Sequence, residues 1–380
     1  MHKIAILGFG VVGSGVAEAL GQDADRLESR LGTPIEIKYI LDLRTFPDHP
    51  LGDRVIHDFN RILEDPEIEL VAEMMGGSHP AYDFTRACLE AGKHVVTSNK
   101  EVVANFGVEL LELARANRVR YLFEASVGGG IPVLRTLIDE ITLHRIHSVC
   151  GILNGTTNYI LTSMQKDGLP FDAALRSAQQ NGFAEANPAA DLQGLDAARK
   201  TAILCALAYG VLPPVSSFPV TGIEGITDEH LSRACAAGGT LKLVGCCEKA
   251  GDRLLVSVQP VFLPLSHPLA HIAGVLNGIL IRSDVLGQIL VEGPGAGKLP
   301  TASAVVRDMA DVFSGRAQSQ DALKWRAADK SSLADPEKVL SLWVDLGRNI
   351  PTFAPEPMTK DAFLRRTGAD RRNVFRVLPE

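Results

Sequence analysis

The sequence predicts an α/β fold, a doubly wound parallel sheet with a second α+β domain behind it, on three observations. Short β-rich runs alternate with helical stretches through roughly the first third of the 380-residue chain. The first of those runs ends in a glycine-rich turn that opens a helix. Past Gly128-Gly129-Gly130-Ile131-Pro132 the rhythm changes to longer helices mixed with strands. Strand and helix alternate in this way when crossover helices cover both faces of a parallel sheet.

In order, Lys3 to Gly8 reads as a short apolar strand and Val11 to about Leu20 as a helix. Ile35 to Leu41, Leu70 to Met74, His94 to Thr97 and Val119 to Phe123 follow as strands rich in β-branched and apolar residues, with helices at Ala81 to Ala91 and Lys100 to Asn117 between them. Ser148 to Leu153, Leu254 to Val261 and Gly278 to Ser283 are strands of the second domain. Pro188 to Tyr209 reads as one helix, because Asn187 is a good cap and proline is tolerated in a first turn. Gly293 to Val312 looks like a glycine loop entering a helix that returns to the first domain. The expected boundaries are therefore 1–130, joined again by about 296–317, then 131–295, then a tail at 318–380. That tail has one strand-like run, Val339 to Leu346, and no motif with readable chemistry. No internal repeat or low-complexity segment is present.

Composition narrows the function. With 46% hydrophobic and 22% charged residues the chain is globular and long enough for two substantial cores. A net charge of −7 without a Lys/Arg run, and only 6% aromatic residues, argue against a nucleic-acid partner. Met1-His2-Lys3 passes directly into a strand, so no signal peptide is expected, and the longest apolar run, Thr201 to Val215, is too short to span a bilayer. Six cysteines (Cys88, Cys150, Cys205, Cys235, Cys246, Cys247) show neither CxxC spacing nor a His/Cys cluster. They read as free thiols in a reducing, cytoplasmic setting.

Gly8-Phe9-Gly10-Val11-Val12-Gly13 fits G-x-G-x-x-G between a strand and a helix. That is the Rossmann-type dinucleotide context: the glycines make the turn and let a pyrophosphate reach the backbone, and the helix N-terminus favours its charge. The alternative is a glycine-rich turn without a ligand. At the end of the second strand, Asp42 argues for NAD through the ribose hydroxyls and Arg44 for NADP through a 2′-phosphate, with the balance toward NADP and both cofactors usable. Lys100 follows the strand ending at Thr97, where ligands dock in open α/β sheets; alone, it is either a site lysine or a solvated helix-start residue. Glu124-Ala-Ser-Val127-Gly-Gly129-Gly-Ile131 follows the next strand. Its glycines allow carbonyls to turn inward around a monovalent cation, or simply make a hinge.

Gly182-Phe-Ala-Glu185-Ala-Asn-Pro-Ala-Ala-Asp191-Leu-Gln-Gly-Leu-Asp196-Ala-Ala-Arg-Lys200 sets three acids and a lysine beside an apolar helix. Asp196 and Lys200 share a helix face at i,i+4. Alone, such a pair is more often a solvated surface pair than a site. Two look-alikes are set aside. Gly293 to Lys298 lacks the spacing and hydroxyl of a P-loop, and His267 and His271 flank a proline without a metalloprotease glutamate.

These motifs, with Thr97-Ser-Asn-Lys100, Gly151-Ile-Leu-Asn-Gly-Thr-Thr-Asn-Tyr159 and Gly293-Pro-Gly-Ala-Gly297, stand in the order found in homoserine dehydrogenases, and the chain resembles that family over about residues 1–315. The resemblance implies reversible, nicotinamide-dependent reduction of L-aspartate 4-semialdehyde to L-homoserine, on the route to threonine and methionine. It implies that residues 131–295 form a substrate and dimerisation domain, hence a homodimer. By motif, Lys200 corresponds to the family's proton donor and acceptor, and Lys100 to the lysine shared by cofactor and substrate. Glu185 and Asp196 correspond to substrate ligands, with Asp191 nearby. Glu124, Val127, Gly129 and Ile131 match the family's sodium site, and Gly182 and Gly297 match positions that touch the cofactor. Departures are Asn187, where many members have aspartate, and Ala190, where some have an acid. The expectation is a monofunctional enzyme without an aspartate kinase domain, whose tail does not read as an ACT domain.

Overall fold

The computed structural model describes residues 1–141, 143–316, 323–329 and 331–378. The chain divides into two compact units, Met1–Asp139 with Ala296–Arg326, and Glu140–Gly295 with Ala327–Glu380.

The first unit is built on six parallel strands: β1 (His2–Leu7), β2 (Ile35–Leu41), β3 (Val55–Ile56), β4 (Ile68–Glu73), β5 (His94–Thr97) and β6 (Tyr121–Leu122). Their order, β3-β2-β1-β4-β5-β6, reverses direction of growth at β1/β4, the switch point at which doubly wound sheets bind dinucleotides. β1 is buried on both faces at Ile4, Ala5, Ile6 and Leu7, which is why it reads as continuous rather than alternating. Helix α1 (Val11–Gln22) packs against the returning helix Lys298–Phe313, closing a core that includes Ile4, Ile6, Val16, Ala302, Val305 and Met309. Helices α2 (Lys100–Ala116) and α3 (Val133–Ile141) complete the parts that bear on the site.

The second unit carries an eight-stranded mixed sheet. Its strands are β7 (Ile146–Ile152), β8 (Gly239–Ala250), β9 (Arg253–Pro264), β10 (Leu276–Ser283), β11 (Gly287–Pro294), β12 (Leu342–Asp345), β13 (Thr352–Phe353) and β14 (Val374–Val377), in the order β11-β10-β7-β8-β9-β14-β12-β13. The β9/β14 pair is parallel and its neighbours are antiparallel. Helices α4 (Gly155–Asp167), α5 (Ala189–Leu192) and α6 (Leu195–Tyr209) belong to this unit. The segment expected as a separate tail supplies β12, β13 and β14 to this sheet. Residues 317–322, where its start was expected, lie outside the described residues.

Two expectations are corrected. The helix expected from Pro188 to Tyr209 is two helices, because Gly194 at φ +81 turns the chain between α5 and α6. Cys150 and Cys246, expected as free thiols, stand opposite each other in the β7/β8 register and form a disulfide; Cys88, Cys205, Cys235 and Cys247 are free. Among the described residues no helix is long and apolar enough to cross a membrane.

Candidate functional site

The glycine loop of the first unit has the shape its sequence implies. Gly8 has φ +86, and a side chain on it would meet the Met74 carbonyl. A Cβ on Gly13 would lie 2.0 Å from the Gly8 carbonyl oxygen, so Gly13 sets the close approach of α1 to the loop. Gly10 caps α1 with no atom within 4 Å of where its Cβ would stand. Open space beside the N-terminal amides of Val11 and Val12, with no acid in the first turn, is the cradle a pyrophosphate needs, and the residues present fit a dinucleotide.

Asp42 and Arg44, which argued for different cofactors, pair with each other. Arg44 Nε and Nη2 donate to the Asp42 carboxylate at 2.9 Å, and the Phe9 amide of the glycine loop donates to it at 2.7 Å. The Arg44 guanidinium holds the Asp42 carboxyl well below the usual range. Asp42 is fixed by the loop, whereas the Arg44 side chain is 60% exposed and lies over the Phe46 ring.

Lys100 opens α2 behind its cap Asn99, which accepts from the Glu101 and Val102 amides. The Asn99 amide donates to Glu73 and to the Gly77 carbonyl. Glu73, fully buried at the end of β4, also accepts the Thr97 hydroxyl and the Met75 amide, and burial raises its carboxyl above the ordinary range. Sequence reading passed over Glu73; an acid closing an otherwise apolar strand was its only signal.

Glu124 behaves differently from a simple metal-ligating carboxylate. Its two oxygens accept the Leu134 and Arg135 amides at 3.0 and 2.9 Å, capping α3. Burial pushes its carboxyl up to about 7, and buried Asp308, which accepts the Glu124 amide at 2.9 Å, is raised further. A cation here would therefore be met by main-chain oxygens. Those of Val127 and Gly129 accept no hydrogen bond from the described residues, while those of Glu124 and Ile131 take the Val127 and Val133 amides. Gly128 and Gly129, at φ +76 and +56, turn this loop. With the glutamate side chain occupied elsewhere, main-chain carbonyls are what this loop would offer a cation.

In the second unit the structure gathers Lys200, Asp196 and Asp191. Lys200 Nζ donates to Asp196 Oδ2 and to the Leu153 carbonyl, both at 2.7 Å. Lys200 and Asp196 are 8% and 6% exposed, so this is a buried pair and not the solvated one that i,i+4 spacing alone suggests. Among the described residues two of the three ammonium hydrogens are used, leaving one for a ligand. Asp191, on α5, joins through Asn154, whose amide donates to Asp191 Oδ1 at 2.7 Å and Asp196 Oδ2 at 2.9 Å. Burial first, then the Asp196 charge, raises the Asp191 carboxyl, and the Asn154 and Thr156 side chains pull it down. Glu185 is not drawn into this group. It is exposed, and its side chain makes no hydrogen bond to a described residue, though the Thr156 hydroxyl ties its turn to α4 through the Phe183 carbonyl at 2.7 Å. Gly182 precedes that turn at φ +74 with open space around it. Gly297, at φ +126, caps the returning helix of the first unit. Leu153 and Asn154 carried no individual role in the sequence reading; an asparagine in cap position between a strand and a helix was the available signal.

Two family models match: homoserine dehydrogenase over residues 132–310, and the homoserine dehydrogenase NAD binding domain over residues 8–124. A homoserine dehydrogenase of Bacillus subtilis (strain 168) is 41% identical over 314 residues, covering 82% of this chain and 72% of its own. Among solved structures, a homoserine dehydrogenase from Thiobacillus denitrificans superposes with a TM-score of 0.84 at 34% identity, over 90% of this chain and 81% of that one. A hyperthermophilic archaeal homoserine dehydrogenase mutant, solved in complex with NADPH, superposes with a TM-score of 0.71 at 28% identity, over 82% of this chain and 98% of that one.

Proposed function

The chain belongs to the homoserine dehydrogenase family, and we propose that Lys200 gives and recovers the proton of its reaction, the reversible NAD(P)-dependent reduction of L-aspartate 4-semialdehyde to L-homoserine. The observation that carries this is the buried Lys200 ammonium, anchored by Leu153 and Asp196 with one hydrogen unspent.

A nicotinamide held at the glycine loop would supply the hydride that the aldehyde carbon takes up. The oxygen left behind gains negative charge, and a fixed ammonium at hydrogen-bond reach both stabilises that charge and delivers the proton. In the oxidative direction the neutral amine takes the hydroxyl proton back. Asp196 and Leu153 aim the lysine without exhausting its donors. The substrate ammonium calls for anionic partners, and Asp191, Asp196 and Glu185 are assigned that role. Lys100 is assigned to cofactor and substrate together.

NADP is the preferred cofactor in this reading, NAD being usable, because Arg44 is the more exposed member of the Asp42/Arg44 pair and a 2′-phosphate can reach it from solvent. Sodium held by the carbonyls of Glu124, Val127, Gly129 and Ile131, a homodimer through the second unit and a cytoplasmic setting belong to the same proposal. Steady-state kinetics with NADPH and with NADH, in sodium and in potassium, test it for wild type and Lys200→Ala. A variant that turns over L-aspartate 4-semialdehyde at the wild-type rate removes Lys200 from the chemistry, and identical rates in the two salts remove sodium from activity.

A further inference from the structure

Asn154 lies between β7 and α4, 6% exposed, with both side-chain amide hydrogens and its side-chain oxygen engaged. Its two amide hydrogens go to separate carboxylates, Asp191 at 2.7 Å and Asp196 at 2.9 Å, and its oxygen accepts the Thr157 amide at 2.9 Å to cap α4. Carboxylates only accept and a backbone N–H only donates, so the amide cannot be turned over without setting its oxygen against two anions. The Asp196 oxygen it holds is the one that also receives Lys200. The preceding residue, Leu153, gives its carbonyl to the same ammonium. Two consecutive residues therefore grip the lysine and both aspartates.

The two aspartates sit on different helices, α5 and α6, separated by the Gly194 turn, and their charges repel. A donor shared between them offsets that repulsion and sets their spacing. An amide does this without adding charge, so Lys200 is the cation already on the pair and the second acid is left for another. A lysine or arginine in the same place would neutralise it.

We infer that Asn154 is a positioning residue for the reaction: by bridging Asp191 and Asp196 it holds the two acids side by side for the substrate ammonium while Lys200 stays aimed at the reacting oxygen. The inference rests on the reading of Asp191 and Asp196 as substrate ligands. It makes the β7–α4 connection, rather than α6 alone, the frame of the amino-acid subsite.

Asn154→Ser separates this role from capping, since serine caps a helix about as well as asparagine but cannot reach both acids. With the fold intact by circular dichroism and NADPH binding retained, the KM for homoserine is expected to rise about 10- to 100-fold, with a smaller fall in kcat. The acid limb of kcat/KM should also move to higher pH, because Asp191 loses a donor that favours its charged form. Asn154→Asp, which keeps the cap and adds a third acid, should move that limb the same way and further. Unchanged KM and an unchanged acid limb in both variants, while Asp191→Asn raises the KM, overturn the positioning role alone. An unchanged KM in Asp191→Asn overturns the ligand reading and the inference with it.

Discussion

Lys200 and Asp196 form an ion pair 2.7 Å long inside the second unit, and the lysine spends a second hydrogen on the Leu153 carbonyl. Removing one partner of a buried pair leaves the other charge without compensation. The two members are not equivalent here. Asp196 loses Lys200 but keeps the Asn154 hydrogen bond, whereas Lys200 without Asp196 keeps a hydrogen bond only to a neutral carbonyl and the more distant charge of Asp191. Asp196→Ala should therefore cost about 3–5 kcal/mol of stability in urea unfolding, and Lys200→Ala clearly less. The order should invert for chemistry. Lys200→Ala is expected to lower kcat about 10²- to 10⁴-fold with NADPH binding preserved. Equal stability losses would show that Asn154 does not support Asp196.

Gly194 marks where the sequence was legible and where it was not. Apolar continuity and a good cap made Pro188 to Tyr209 look like one helix, and a single interior glycine is a weak signal against that. Only its φ of +81 reveals the break that frees Asp191 from the face of α6. The parallel sheet, by contrast, was readable almost strand by strand, because β1, β2, β4 and β5 are short apolar runs bounded by turns. β8 was missed altogether. From Gly239 to Cys247 it is buried on both faces, so it shows no alternation, and the Cys150–Cys246 pairing was hidden with it. Gly194→Ala tests the importance of the break. A Cβ there has an unfavourable φ and stands 3.3 Å from Val220 and Val258, so about 1–2 kcal/mol of stability should be lost. Homoserine KM should rise with it, and an unaffected KM would uncouple the turn from the subsite.

Arg44 and Asp42 give the cofactor preference a structural test. Asp42 is tied to the Phe9 amide, so Arg44 is the residue that must reorient to meet a 2′-phosphate. Arg44→Ala should raise the KM for NADPH about tenfold and leave that for NADH nearly unchanged. Equal effects on the two cofactors would assign Arg44 to holding Asp42 rather than to the phosphate.

Glu185 stands outside the Asp191, Asp196 and Lys200 group, on a turn secured by Thr156. A ligand role for it shows in binding rather than in proton transfer. Glu185→Ala is expected to raise the KM for homoserine about tenfold with kcat little changed. If kcat falls and KM does not, the residue acts on the chemical step instead.

Glu124 links the first unit to pH through its buried carboxyl, pushed by burial from 4.5 up to about 7 while it caps α3. Between those values the folded protein retains a proton that the unfolded chain has released. Its contribution to stability is therefore complete below 4.5 and is lost as pH rises through about 7. Glutamine carries no titrating proton and keeps an acceptor for the helix amides. The stability of Glu124→Gln relative to wild type should thus increase from pH 4.5 to 7, by on the order of 3 kcal/mol, and level off above it. Denaturant unfolding in sodium-free buffer across that range measures the difference. Asp308 is raised by burial and then by the Glu124 charge, so it shifts along with its neighbour in Glu124→Gln and the difference curve reports the two acids together; parallel curves would mean that neither acid titrates differently in the two proteins. Added sodium supplies a second check. A cation on the neighbouring carbonyls favours the carboxylate, and should shift the wild-type transition to lower pH while leaving Glu124→Gln without one.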